Sequence, residues 1–152
     1  MNKPFLDAAR DYPHFKTLFK EFCDTATKWL NGNAYLPGVN FSTRGDGASA
    51  QLQAFDRTFE ISLHFLIVEN APSGVLQISL PEASKEPVRL FHLFFDEHGK
   101  VKVAPDAPAD LDFLDRIEFV KTFVNRVAHE YFSHLSAVLG YAPGGSQEWS
   151  TR

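Results

Sequence analysis

RTFEISLHFLIVE, residues 57 to 69, alternates: Phe59, Ile61, Leu63, Phe65 and Ile67 form one set, and Glu60, Ser62, His64, Leu66 and Val68 the other. Successive side chains of a strand point to opposite faces of its sheet, so the first set reads as a core face, while the second begins polar and ends apolar. VRLFHLFF, residues 88 to 95, goes further. It places Arg89, Phe91, Leu93 and Phe95 on one side and Val88, Leu90, His92 and Phe94 on the other, so both sides are greasy. A strand that is apolar on both sides is covered on both sides.

Around these two stretches the period stays near two from Tyr35 to Ala104. Turn residues interrupt it at GDG (45–47), DR (56–57), NAPSG (70–74), PEASKEP (81–87) and DEHG (96–99). The pattern predicts strands near 38–44, 48–55, 58–69, 75–80, 88–95 and 100–104. The connections are too short for helical crossovers, which leaves an antiparallel meander.

Helical spacing brackets the strands. Phe15, Leu18, Phe19, Phe22, Ala26, Trp29 and Leu30 share a stripe, with Asp11 as a cap, Pro13 in the first turn and Asn31-Gly32 as the stop. Lys16, Lys20, Asp24 and Lys28 line the opposite, solvated face. After a PDAPAD turn (105–110), a second helix is expected from about 111 to 139, ended by Gly140, with Phe113, Ile117, Val120, Val124, Val127, Tyr131, Leu135 and Val138 on one arc. The tail YAPGGSQEWSTR (141–152) is rich in turn formers and expected to be loose. The expectation is one α+β domain over 1–140, an antiparallel meander sheet of about five to six strands flanked by a long N-terminal and a long C-terminal helix.

Composition narrows the function classes. The net charge is −4 and the cations are spread singly, so no basic run offers itself to nucleic acid. No apolar run has the length of a membrane helix, and MNKPFLDAARDYPHF lacks the apolar centre of a signal peptide, which predicts a cytoplasmic protein. One cysteine cannot make an internal disulfide, and Cys23, between Phe19, Phe22 and Ala26 on the helical stripe, reads as a buried small apolar residue. Fifteen phenylalanines mean either an unusually aromatic core or rings on a surface that a partner covers.

Catalytic motifs fare poorly. HEYFSH (129–134) resembles a zinc-protease helix at first sight, but that chemistry needs histidines at i and i+4. His129 and His134 are five apart, about 140° around a helix, and Ser133 stands where the second ligand belongs. Arg126, Glu130 and His134 form a row suited to surface charge pairing. FFDEHGKV reads as a hairpin in which Gly99 supplies a positive φ, and no serine stands in a nucleophile elbow. No metal or cofactor is expected.

The second sheet face is what remains. His64, Leu66 and Val68 of the first strand and Leu90, His92 and Phe94 of the other are the candidate binding residues, with Ser62, Gln77 and Ser79 nearby. The leading expectation is a non-catalytic interaction module of the adaptor, chaperone or inhibitor kind, binding another protein or a second copy of itself through that face. The alternative is a small enzyme or ligand-binding protein with an apolar pocket and His64 or His92 as general base.

Overall fold

The computed structural model describes residues 3–82, 85–109, 111–113 and 115–140, and of residues 3–5, 7 and 8 the backbone alone. The order is α1 (Lys3–Leu30), β1 (Asn40–Thr43), β2 (Ser49–Ala54), β3 (Arg57–Val68), β4 (Ala71–Glu82), β5 (Lys85–Phe95), β6 (Lys100–Lys102), β7 (Leu111–Asp112) and α2 (Arg116–Val138). The strands form one antiparallel meander in sequence order, curled into a half-barrel. The fold is therefore α+β, as the alternation in 57–69 implies. No helix is long and apolar enough to cross a membrane among the described residues. The expected loose tail, 141–152, lies outside them.

Both helices lie on the same face of the sheet. Phe15 of α1 meets Phe95 of β5 with ring centroids 5.4 Å apart, while from α2 Tyr131 meets Phe59 at 5.3 Å and Phe123 meets Phe91 at 6.2 Å. All three strand residues belong to the core-facing set. Phe22 binds the layers together: its ring stacks on Phe113 and meets Phe41, Phe119 and Phe123 edge-on at 5.1 to 5.8 Å. Most of the phenylalanine excess is thereby absorbed by one core.

Helix α1 differs from expectation at its start. Pro13 does not open it but lies inside, on the solvent side, ten residues after Lys3. A proline there removes only a bond to the exposed residue Ala9, whose carbonyl water can satisfy, and Ala8, Ala9 and Arg10 favour helix strongly enough to carry it through. The stripe itself is as read, with Phe15, Leu18, Phe19, Phe22, Cys23, Ala26 and Leu30 buried. Asn31 then ties the helix end to β1, donating from Nδ2 to the Phe41 carbonyl at 2.9 Å and accepting the Phe41 N–H at 2.6 Å.

Two hairpin turns are tighter than their sequences suggest. Phe55-Asp56 and Glu69-Asn70 each hold two consecutive positive φ angles, 56° and 58°, then 51° and 64°. Such two-residue turns match the twist of a hairpin, and they let β4 begin at Ala71, inside the segment NAPSG expected to be loop. Likewise PEASKEP is mostly strand, since β4 runs to Glu82 and β5 starts at Lys85.

The second helix also starts later than its periodicity implies. Leu111 and Asp112 pair with Val101 and Lys100 to make β7, fastened by a Lys100–Asp112 ion pair of 2.7 Å and by the Phe113 N–H donating to the Gly99 carbonyl at 2.9 Å. The buried arc of α2 consists of Phe119, Val120, Phe123, Val127 and Tyr131, turned by roughly a sixth of a revolution from the expected one. Ile117 and Val138, expected inside, are 47% and 65% exposed. The cause is aromatic: Phe119 and Phe123 both reach Phe22, and a large ring decides a helix's rotation over a Val or Ile competing for the same space.

A bulge corrects the reading of β5. Ile78 pairs with Phe91 but Ser79 pairs with Arg89, so Leu90 is an extra residue and the alternation inverts across it. Val88, opposite Leu80, faces the core, and Arg89 leaves it. This is the reverse of what strict alternation gives.

Gly74 has one local reason to be glycine. It pairs with Phe65 on one side and Phe95 on the other, and a Cβ at this position would overlap the Phe95 ring. We therefore expect Gly74→Ala to cost about 3 kcal/mol in a urea titration, and clearly less in a Phe95→Leu background where the ring is gone. Phe22→Ala should cost about 4 kcal/mol, because it empties the junction of five rings.

Candidate outer-face binding site

The face of the sheet turned away from both helices is built in rows by strand register. Gln51, Glu60, Ser79 and Arg89 form one row, and Ser49, Ser62, Gln77 and His92 the next. His64, Val75, Phe94 and Lys102 follow, then Leu66 beside Ser73. One end of the face is thus polar and the other apolar, which is the gradient legible along β3.

The apolar end has a centre. Val75 is 7% exposed yet stands outside the core cluster, because the sheet itself separates it from the helices. Its cross-strand neighbours His64 and Phe94 and the diagonal Leu66 cover it. Leu66 is 46% exposed, and Phe94 and Val68 are half-buried. A groove of about 160 Å³ continues from this patch past Val68, Ser73, Phe94, Lys100, Lys102 and Pro105.

Of the six candidate residues, His64, Leu66, Val68, His92 and Phe94 share this face. Leu90 does not belong with them: as the bulge residue it packs against the core cluster. The two histidines are kept apart by β4 and offset by one row, about 12 Å by strand geometry, so they form no joint site. His92 meets the edge of Phe94 at 5.2 Å instead. Sequence reasoning missed Val75 and Lys102. Val75 was discoverable from the alternation of Ser73, Val75, Gln77 and Ser79, whereas Lys102 is placed only by the register of β6 on Phe94.

Among the described residues, the one pair with nucleophile-and-base geometry is Ser62 Oγ and His64 Nε2, 3.1 Å apart on β3. Both side chains lie on an open face. Strand β3 is paired on both sides, so its backbone N–H groups are taken up by the ladder rather than presented as an oxyanion hole. Among the described residues no carboxylate is recorded in contact with His64.

The remaining motifs have structural explanations. In HEYFSH, His129 is exposed and His134 half-buried, and Arg126 pairs with Glu130 at 2.9 Å while lying 5.2 Å over the Phe91 ring. Asp96 Oδ1 accepts the N–H groups of His98 and Lys100 at 2.9 Å each, with Gly99 at φ 80°, so DEHG is a hairpin turn. A wider groove between α1 and the start of α2 sets Glu21 and Asp24 beside Lys28 and Arg116, a surface whose charges offset one another. Cys23 is buried, and desolvation, aided by the charge of Asp24, pushes its thiol up to about 12.

Neither a protein-family model, nor a curated protein, nor a solved structure matches the chain.

The thiol gives a test with a defined sign. Its folded pKa is raised, so the stability tied to the neutral form is complete below the unfolded value near 9 and fades as pH climbs toward 12. Native protein at pH 8 should react with a thiol reagent only at the rate of unfolding, and denaturation midpoints should fall from pH 9 upward; fast labelling of folded protein would contradict this burial. His129→Ala should change stability by less than about 0.5 kcal/mol, against about 3 kcal/mol for Tyr131→Ala in the same titration.

Proposed function

We propose that the chain is a non-catalytic protein-interaction module that works through the outer face of its sheet. The observation that carries this reading is the apolar end of that face, where Leu66 and Phe94 stand on a covered Val75 with no helix of the described chain above them. Antiparallel sheets commonly leave one face to water, but such a face is normally polar throughout. A contiguous apolar patch with a polar surround is what interface cores and their rims are made of. Its members come from three adjacent strands in register, so the patch is rigid and preformed, which lowers the entropic cost of association.

A second reading, a small enzyme with a histidine general base, has the Ser62–His64 contact in its favour. A fluorophosphonate probe separates the two. Stoichiometric labelling of Ser62 that disappears in His64→Ala would make the enzyme the better reading, and no labelling above that of a denatured control would leave the module.

The interaction reading makes its own demand on variants. Leu66→Glu and Phe94→Glu place charge on a face that water reaches, so each should shift the melting temperature by no more than about 4 °C, whereas Phe95→Glu, one residue away and buried, should fail to fold. Proteins retained by the immobilised wild type should be lost by both outer-face variants. Equal retention by all of them, with circular dichroism unchanged, would place binding elsewhere.

A further inference from the structure

The strand rows of the outer face carry cations that no acid beside them engages. The chain carries −4 overall, yet among the described residues the two charges in the strand rows of the outer face that lack an ion pair, Arg89 and Lys102, are both positive. Glu60, the acid in its central rows, is engaged by Arg44 Nη2 at 3.1 Å, and Lys100 at the rim is engaged by Asp112 at 2.7 Å. Arg89, exposed, and Lys102, half-buried, have no carboxylate within ion-pair distance among the described residues. Of the acids at the mouth of the groove, Asp96 is turned into its own hairpin by two N–H groups, and Glu69 sits at the tip of the β3–β4 turn. By register the two free cations stand at opposite ends of the β5 side, roughly 15 Å apart, with His92 and Phe94 between them.

We infer that the outer face is built for an acidic partner: a protein or peptide segment that sets an apolar side chain on Leu66, Val75 and Phe94 and directs carboxylates at Arg89 and Lys102. The inference rests on the interaction reading above and selects among its partners. A second copy is disfavoured, because two outer faces brought together would oppose unpaired cations to unpaired cations with Glu60 already taken, and like charges in a closing interface are strongly unfavourable. An acidic partner instead offsets both cations, and attraction to them adds to its rate of encounter with this face.

The test uses a displayed library of random 12-residue peptides, panned on the immobilised chain, with the strongest binder made as a fluorescent peptide for anisotropy at low salt. Wild type should enrich Asp and Glu together with at least one large apolar residue. Arg89→Glu/Lys102→Glu should weaken the peptide at least tenfold and, when panned itself, enrich Lys and Arg; Phe94→Ala should weaken it at least fivefold. If Phe94→Ala abolishes binding while charge reversal changes nothing and no acidic residues are enriched, the face is an interface but the acidic partner is wrong. If no binder is found, or both variants bind as wild type does, the interaction reading itself falls. Two further results would overturn the inference. One is a wild-type dimer in sedimentation that Phe94→Glu dissociates, which makes the occupant a second copy. The other is a labelled twelve-residue thymidine oligonucleotide that binds more tightly than any peptide and is lost on charge reversal, which makes it nucleic acid.

Discussion

Both helices share one face of one sheet, and Phe22 is the side chain that makes this arrangement hold. Its ring touches Phe41 near the first edge of the sheet and Phe113, Phe119 and Phe123 at the opposite end of the chain. A flat sheet would keep β1 and the segment after β7 far apart. Meeting at one ring requires the sheet to curl, and the curl gives the core its concave floor. The rotation of α2 follows from the same contact, since Phe119 and Phe123 must turn toward Phe22 and carry Ile117 outward as they do so. Packing of large rings contributes more per residue than aliphatic burial, so the aromatic junction sets the geometry and the rest of the core adapts to it.

One-sided cover leaves the sheet with a free face, and its edges are less available than the face. β1 has four residues and β7 two. β6 pairs with β5 at Phe94 and Phe95, and among the described residues no strand lies beside Lys85 to Leu93 on that side. That edge carries the devices by which proteins block strand addition: exposed Lys85 and Glu86, an exposed Pro87 with no N–H to give, and the bulge at Leu90. The broad surface left uncovered among the described residues is the outer face, where polarity changes from row to row along β3 and β4.

Much of this was legible in the sequence, and what was not has physical reasons. The alternation in 57–69 gave the sheet and its polarity gradient, and the stripe from Phe15 to Leu30 gave α1, because both depend on local spacing alone. Pro13 misled because proline's usual place is a first turn, and only the tertiary setting tells that the missing bond falls on the water side. The turns at Phe55-Asp56 and Glu69-Asn70 lack glycine; Phe55 is held at positive φ by its contacts with Tyr131 and Phe132, which lie more than seventy residues away. β7 falls inside the helix expected from about 111, although Leu111 lies off its apolar arc, because the pairing of Leu111 and Asp112 with β6 is a non-local fact. At the candidate site, five residues were foreseen on one face, Leu90 was misplaced, and Lys102 depended on a register that no periodicity encodes.

The bulge at Leu90 connects the fold to the face. With strict alternation, Arg89 would follow Phe91 inward and bring an unpaired guanidinium to a core that holds no buried charged or polar residue among those described, at a cost of several kcal/mol. One extra residue inverts the phase: Val88 turns in to meet Leu80, Leu90 fills the margin of the core, and Arg89 turns out beside Ser79. Beyond the bulge, His92 and Phe94 keep the outward phase that Phe91, Leu93 and Phe95 impose by facing the helices. The same insertion that reconciles β5 with its core therefore places on the outer face, in line with Phe94, a guanidinium that has no ion pair among the described residues, so the position of that charge is a consequence of how the strand is packed from behind.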